Sequence, residues 1–594
     1  MNSPINITLN LPPVEFPPIP SVVIPYSRDA CFVDRSATFY EICQKCAVPG
    51  SQTALVGLSG VGKSYLAIEY AFRTHERSPG TWVFWVIASN AARFEQSFRD
   101  IADYVRIRGR RNPRNDIFQL VYCWLWESKE KWILIFDDLR DVGLLNANAN
   151  KEGCLANDLE TTTIKPHGHR FHCERGSVLF TMRDKEEARK TVQQCGIINV
   201  GPMDKAQAFL LFEKKLGSQM SRNDVAELVA ALRYIPLAIA QAAAHISQRA
   251  SYYSVRHYLE KIKWYNHETA ASHDGSQRTQ TRELKNCLIN TWKISFDYIR
   301  KIQPSTTNLL SFMSFFDRQG IPAVLLRSQN GRSKEEHPDD KEYGSSASST
   351  NSDRLREDLA MLRNYCFISV NADGTTCEMY AIVRLMTRKW LQANNEFDRW
   401  NQQFIYHLNA KFPAGEHQNW QVCQAFFAHA MSAAYQKPEG WQSLAEWATL
   451  MYHAAWYALA KGSATDAEKL AAKSVKARRM ALGESHKYTL NSVEMLGLAY
   501  NLRGRWGPAE ELLRQVMEMR RTILGERHPE TLTSMNNIAF TLDSKAYLST
   551  AIALMERCCQ LREAVLGPRH SSTISSLQAL GVWRAKRVHP DSRG

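Results

Sequence analysis

The stretch Ala54-Leu-Val-Gly-Leu-Ser-Gly-Val-Gly-Lys-Ser-Tyr-Leu-Ala-Ile68 narrows the possible folds more than any other part of the chain. Gly57, Gly62, Lys63 and Ser64 fit the spacing G-x-x-x-x-G-K-[ST]. Ala54, Leu55 and Val56 precede it as a buried strand would, and Leu66, Ile68, Tyr70 and Ala71 follow at helical spacing. Strand, glycine turn and helix in that order make a loop whose backbone N–H groups converge on an anion. Gly57, Gly60 and Gly62 permit the turn, and the new helix adds its positive end. Lys63 is placed for the β- and γ-phosphates of a nucleotide and Ser64 for Mg²⁺. Ser59, Val61 and Tyr65 complete the candidate contacts of the loop and its first helical turn.

A second motif, Trp132-Ile-Leu-Ile-Phe-Asp137-Asp138-Leu139, reads as a buried parallel strand with two carboxylates at its C-terminal end. Ligands of open parallel sheets bind at that edge. Asp137 is placed to hold the Mg²⁺ shell, and Asp138 to orient or deprotonate an attacking water. Alone, the pair would read as an acidic turn after a core strand; its distance from the phosphate loop makes it a site. Trp82 to Ile87 and Ser177 to Met182 are further buried strands, the second ending in Arg183, suited to a γ-phosphate. Helical stretches at 91–107 and 116–127 separate the strands, so the expected fold is a doubly wound parallel α/β sheet.

From about residue 202 the strands stop. Helices are expected at 204–216, 223–232, 286–300 and 304–317. Another starts at Pro236, where proline suits the first turn. A helix at 355–364, a hairpin (Phe367 to Val370, Thr376 to Tyr380) and a helix from Val383 to Leu391 suggest a winged helix. The last part repeats with a period of 42: Leu482-Gly483, Leu524-Gly525 and Leu566-Gly567 recur, in step with His486, His528 and His570 and with Arg478, Arg520 and Arg562. Such helix pairs stack into a superhelix whose concave face binds partners. The histidines follow a turn and are read as caps or packing residues. The unit from Thr573 holds one helix before a basic tail, so the array reads as incomplete or the chain as cut short.

The expected domains are a proline-rich disordered arm (1–29), an NTPase domain (30–201), a helical domain (202–283) and a winged helix (284–392) with a disordered insertion at 329–354. A helical connector (393–440), repeats (441–585) and a basic tail (586–594) follow. About four domains fit a chain of 594 residues. With no apolar run near the roughly 20 residues of a membrane span, a membrane is excluded as partner, and a cytoplasmic, reducing compartment is expected. The 13 cysteines are scattered. Cys43 and Cys46 lack a second pair for a zinc ribbon, and Cys154, His167, His169, His172 and Cys173 read as a polar insertion before a metal site. The formal charge is +14. From residue 441 onward, 21 Lys plus Arg face 14 Asp plus Glu, so half of the excess lies there. No aromatic-basic stacking motif accompanies it, which favours a solvated helical surface over a nucleic-acid site.

These residues resemble the NB-ARC, or STAND, class of signal-transducing P-loop ATPases, here with kinesin-light-chain-type tetratricopeptide repeats in the fungal manner. The resemblance covers roughly residues 30 to 585. Phe32-Val33-Asp34-Arg35 is similar to the adenine-side element, usually with glycine where Asp34 stands, which makes Val33 and Arg35 nucleotide contacts. Gly57 to Ser64 and Asp137-Asp138 match the two Walker motifs. Thr181-Met182-Arg183 is similar to the sensor, and Tyr234-Ile-Pro236-Leu237 to the element whose proline packs on the nucleotide. Trp292 to Phe296 and Asp317 to Pro322 resemble the winged-helix region. The family has Met-His where this chain has Met379-Tyr380, so Tyr380 takes the place that contacts the β-phosphate of ADP. About 30 residues before Phe32 are too few for the usual effector domain.

The resemblance implies an ADP/ATP switch with Mg²⁺, slow hydrolysis through Lys63, Asp137 and Asp138, a protein partner on the repeats and homo-oligomerisation on activation. Two other functions fit parts of the sequence. One is a repeat adaptor whose nucleotide site is structural or vestigial. The other is a transcriptional regulator, against which the helix from Val383 carries only Arg384, Arg388 and Lys389 as basic residues.

Overall fold

The computed structural model describes residues 18–110, 115–146, 173–217, 221–249, 253–271, 280–327, 347–371 and 373–588. The chain forms two compact units, Met1–Thr307 with Arg356–Met386, and Asn308–Leu355 with Thr387–Gly594.

The first unit is built on a six-stranded parallel sheet. In chain order its strands are β1 (Val22–Val23), β2 (Gln52–Val56), β3 (Trp82–Ile87), β4 (Trp132–Leu139), β5 (Gly176–Met182) and β6 (Ile197–Asn199). The spatial order is β1-β3-β4-β5-β2-β6. Successive residues alternate between two cores: Ala54, Val56, Leu134, Phe136 and Phe180 face one, Leu55, Ile133, Ile135 and Leu179 the other. Strands with both faces buried read as continuous apolar runs, which is why β3 and β4 stand out in the sequence. The helices α1 (Ser36–Cys46) and α2 (Lys63–Arg77) contribute to the second core. The helices α3 (Ala91–Tyr104) and α4 (Ile117–Glu127) contribute to the first, where Phe94 stacks on Phe136 and Phe136 on Phe180. Short helices α5 (Gly143–Asn146) and α6 (Lys185–Thr191) flank β5.

A helical region follows: α7 (Lys205–Leu216), α8 (Arg222–Ala231), α9 (Pro236–Ser247), α10 (Val255–Ala271) and α11 (Gln280–Ile302). Asp204 caps α7 in a reciprocal box with Gln207, and Pro236 opens α9. The strands Ile368–Val370 and Thr376–Met379 pair antiparallel, with Ile368 opposite Met379.

Four expectations change. The arm is not structureless to residue 29. Residues 18 onward are described, and β1 pairs parallel with β3 through Val22 and Val83. The composition of the arm conceals this pairing, because the sheet edge supplies it. The helix expected at 355–364 runs from Ala347, and the one at 286–300 from Gln280 to Ile302. Here helical continuity overrides serine-rich and polar sequence. The helix at 304–317 ends at Met313. Expectations for 1–17, for Cys154, His167, His169 and His172, for most of 329–354 and for 589–594 lie outside the described residues.

In the second unit, helices Phe397–Lys411 and Trp420–Ala434 precede helix pairs 441–460/464–482, 487–502/506–524 and 529–544/548–566, and a last helix at 571–588. The 42-residue period reappears as contacts. Nδ1 of His486, His528 and His570 accepts from the N–H of Tyr488, Glu530 and Ser572, capping three helices. Arg478, Arg520 and Arg562 are buried. Each donates to one carbonyl of the following helix (Tyr488, Glu530, Ser572) and to one serine (Ser492, Ser534, Ser576). A Cβ on Gly497 would stand 2.9 Å from Cγ of Leu513, so the first helix of that pair approaches its mate closely.

Candidate functional site

The loop between β2 and α2 meets the steric demand of a phosphate cradle. Gly60 and Gly62 have φ of +86° and +96°, a region that favours glycine. A Cβ on Gly57 would stand 2.2 Å from the carbonyl oxygen of Val200, so no side chain fits there. α2 starts at Lys63 with no side chain capping its first turn. Nζ of Lys63 donates to the carbonyls of Gly57 and Leu58, both at 2.8 Å. Burial draws its pKa down to about 8; the Arg183 cation adds to this, and Asp137 and Asp138 oppose it. A buried ammonium resting on loop carbonyls, beside an uncapped helix start, suits a polyanion.

Because β5 lies between β2 and β4, its last residues stand between the glycine loop and the two carboxylates. The Ser64 and Thr181 hydroxyls both donate to Oδ1 of Asp137, at 2.6 and 2.7 Å. Oγ1 of Thr181 also accepts the backbone N–H of Asp138 at 2.8 Å. The pairing of β4 with β5 shifts register between Phe136 and Leu139, and Asp138 has a φ of +56°. This bulge turns a second consecutive carboxylate to the sheet end, where plain alternation would point it away. A hydroxyl and a carboxylate are the hard oxygen donors that Mg²⁺ takes, so Ser64 and Asp137 fit that ion.

Asp138 is held by two arginines. Arg183 Nε donates to Oδ1 at 3.0 Å, and Arg140 donates to Oδ2 through Nε at 2.9 Å and Nη2 at 2.6 Å. The expectation had Asp138 beside a water and Arg183 beside a phosphate; here the two pair with each other. Arg35, expected as a nucleotide contact, is bonded to backbone. Its guanidinium donates to the carbonyls of Val61, Gly201 and Pro202, tying the glycine loop to the segment after β6. Val33 is buried, while Ser59 lies in the loop, half-buried.

The glycine loop is also met from later in the chain. The N–H of Leu237 donates to the Gly60 carbonyl at 3.2 Å. Pro236 Cγ lies 3.9 Å from where a Cβ on Gly62 would be. The hydroxyls of Tyr65 and Tyr380 are 3.0 Å apart. Sequence reading passed over Thr181 and Arg140 as site residues. Thr181 carried a signal, since it lies near the end of β5 in the sensor-like Thr181-Met182-Arg183. Arg140 carried none.

No helix among the described residues is long and apolar enough to cross a membrane. No group of three or more His, Cys, Asp or Glu among the described residues is arranged to hold a metal ion.

The tetratricopeptide repeat model matches residues 489–530 and 531–572. A protein of Hyaloscypha variabilis described as nucleotide-binding leucine-rich repeat (NLR)-like is 27% identical over 486 residues, 79% of this chain and 46% of its own length. The chain therefore spans about half the length of that curated relative. A crystal structure of a STAND protein with a tetratricopeptide repeat sensor from Pyrococcus horikoshii superposes with a TM-score of 0.36 at 12% identity, covering 98% of this chain and 92% of that one. TPR-like repeats of a kinesin light chain type from Podospora anserina give 0.25 at 22% identity, covering 34% and 89%. The glycine loop, the paired carboxylates after β4 and the capped repeats thus stand in a chain that is similar over most of its length to an NLR-like protein and that carries tetratricopeptide repeats over 489–572.

Proposed function

We propose that the chain is an ADP/ATP-dependent switch with Mg²⁺ at Ser64 and Asp137, whose repeats bind a protein partner on their concave face. The observation that carries this reading is the convergence on one loop. Pro236 and Leu237 from α9, and Tyr380 from beyond the hairpin, approach the residues that would hold phosphate. A ligand shifts an equilibrium between two states only through its differential affinity for them, so it must be sensed by more than one segment. This loop offers that.

Lys63 would leave its two carbonyls and neutralise phosphate charge. Ser64 and Asp137 would hold the ion, oriented by Thr181, and Mg²⁺ there would supply charge neutralisation across the phosphates. Asp138 would orient water once Arg140 or Arg183 releases one of its oxygens, which favours a slow ATPase. Arg35 would act through the backbone, fixing the loop. Assembly into homo-oligomers on activation and a cytoplasmic location belong to the same reading.

The test is the nucleotide carried by the purified chain, released by denaturation and identified by chromatography. Near-stoichiometric ADP in the wild type, absent from Lys63→Ala, is the expected outcome. A wild-type chain that carries none and takes up neither ADP nor ATP would leave a repeat adaptor with a structural loop.

A further inference from the structure

Residues 18 to 34 run across much of the first unit and are anchored at each step. Val22 pairs with Val83 at the sheet edge. The Tyr26 ring meets Trp85 edge-on, with centroids 5.3 Å apart, and its hydroxyl donates to Oε2 of Glu378 at 2.8 Å. Arg28 grips the buried Glu69 of α2 with two hydrogen bonds, at 2.9 and 2.7 Å, and reaches Glu76 with a third. Lys214 of α7 donates to the Phe32 carbonyl at 2.7 Å. One short segment thus touches the sheet, the helix that follows the glycine loop, the helical region and the second strand of the hairpin.

The bond from Tyr26 to Glu378 matters most, because of what lies two residues on. Positions 378 and 380 share one side of an extended chain. Tyr380 uses that side to reach Tyr65, the neighbour of Ser64. Arm, strand and glycine loop are therefore linked through Tyr26, Glu378, Tyr380 and Tyr65. The link is local and polar, and the Tyr26 hydroxyl makes it without the packing of its ring.

We propose that the arm is a strap, and that Tyr26 and Glu378 are positioning residues that hold Tyr380 over the start of α2 and so set how long nucleotide stays bound. This rests on the nucleotide reading of the loop. Displacing the strap frees the hairpin end and speeds nucleotide release, so anything that pulls on the arm acts on the site.

The experiment uses the full chain and two readouts. One is the dissociation rate of a fluorescent ADP analogue. The other is amide hydrogen exchange over 374–381, which needs no nucleotide. Tyr26→Phe keeps the ring on Trp85 and loses only the hydroxyl. It should speed dissociation roughly three- to tenfold, the worth of one net hydrogen bond, and speed exchange over the hairpin end. Glu378→Ala should do the same, while Glu378→Gln, whose carbonyl still accepts from Tyr26, should stay near wild type. In a Tyr65→Phe background, Tyr26→Phe should add nothing to the dissociation rate, an outcome that general loosening would not give. Unchanged exchange and dissociation in Tyr26→Phe would overturn the strap. A chain that takes up no ADP would overturn the nucleotide reading, and the exchange comparison would still decide whether the arm holds the hairpin.

Discussion

His245 sits on α9 with no exposed surface, among the rings of Tyr253, Tyr258, Tyr298 and Tyr365. Arg249 donates to its Nε2 at 3.4 Å, which leaves the proton on Nδ1, 3.2 Å from the Ser295 hydroxyl. Burial first, then the nearby Lys261 and Arg249 cations, draw its pKa from 6.5 down to about 3. The folded chain therefore keeps the imidazole neutral where the unfolded chain would protonate it. The stability tied to this neutrality is complete above pH 6.5 and is lost as pH falls from there toward 3. For this group alone the loss by pH 5 is about 2 kcal/mol. His245→Gln, which cannot titrate, should flatten the difference between melts at about pH 7 and pH 5 relative to wild type. An equal acid slope in both proteins would show that the ring charges without cost. Nothing in the sequence marks this histidine, because the rings around it come from four places in the chain.

At the scale of the element, the repeats separate two kinds of residue that recur equally well. His528 caps its helix from the surface of a turn, and its replacement by alanine should cost about 1 kcal/mol. Arg520 is buried, and besides Glu530 and Ser534 of the following helix it reaches Glu494 and Asn491 on the first helix of its own pair. Arg520→Ala should cost about 3 kcal/mol or more, because it strands a carboxylate that the arginine neutralises. Amide exchange over 487–544 in the full chain would rank the two, and equal effects would refute the distinction. The period of 42 was legible because a repeated sequence must repeat its contacts. The glycine loop was legible because its backbone conformation demands glycine at fixed places. β1 was not: two valines among prolines become a strand only when β3 offers an edge. The bulge at Asp138 was hidden for a similar reason, since two adjacent aspartates read the same on a regular strand. Arg140 is an ordinary exposed arginine until the bulge brings Asp138 to it.

For the whole molecule, the charge of +14 invites a polyanion, but many of the repeat cations are paired with carboxylates. Arg503 and Arg505 pair with Glu468, Lys545 and Arg514 with Glu510, Arg557 with Glu526, and Arg584 with Glu556. Most of these pairs link one helix pair to the next, so the cations are spaced along the array and partly neutralised. No strong attraction for duplex DNA is therefore expected. Fluorescence anisotropy with a labelled duplex at about 50 mM salt should show only weak, length-independent binding. Tight, steeply salt-dependent binding would instead support a regulator of transcription. The fold class was readable at this scale, because the sheet and the repeats each have their own periodicity. The strap was not, since its anchors lie up to 352 residues apart.

The repeated contacts have a consequence for inheritance. Arg478, Arg520 and Arg562 each find their carbonyl and serine at the same offsets, ten and fourteen residues ahead. Unequal crossing-over between two such stretches of a gene would add or remove whole helix pairs and leave each surviving junction with the partners it had. The length of the array can then drift from generation to generation while its helices go on fitting, and the reach of the binding surface becomes something that recombination alone can edit.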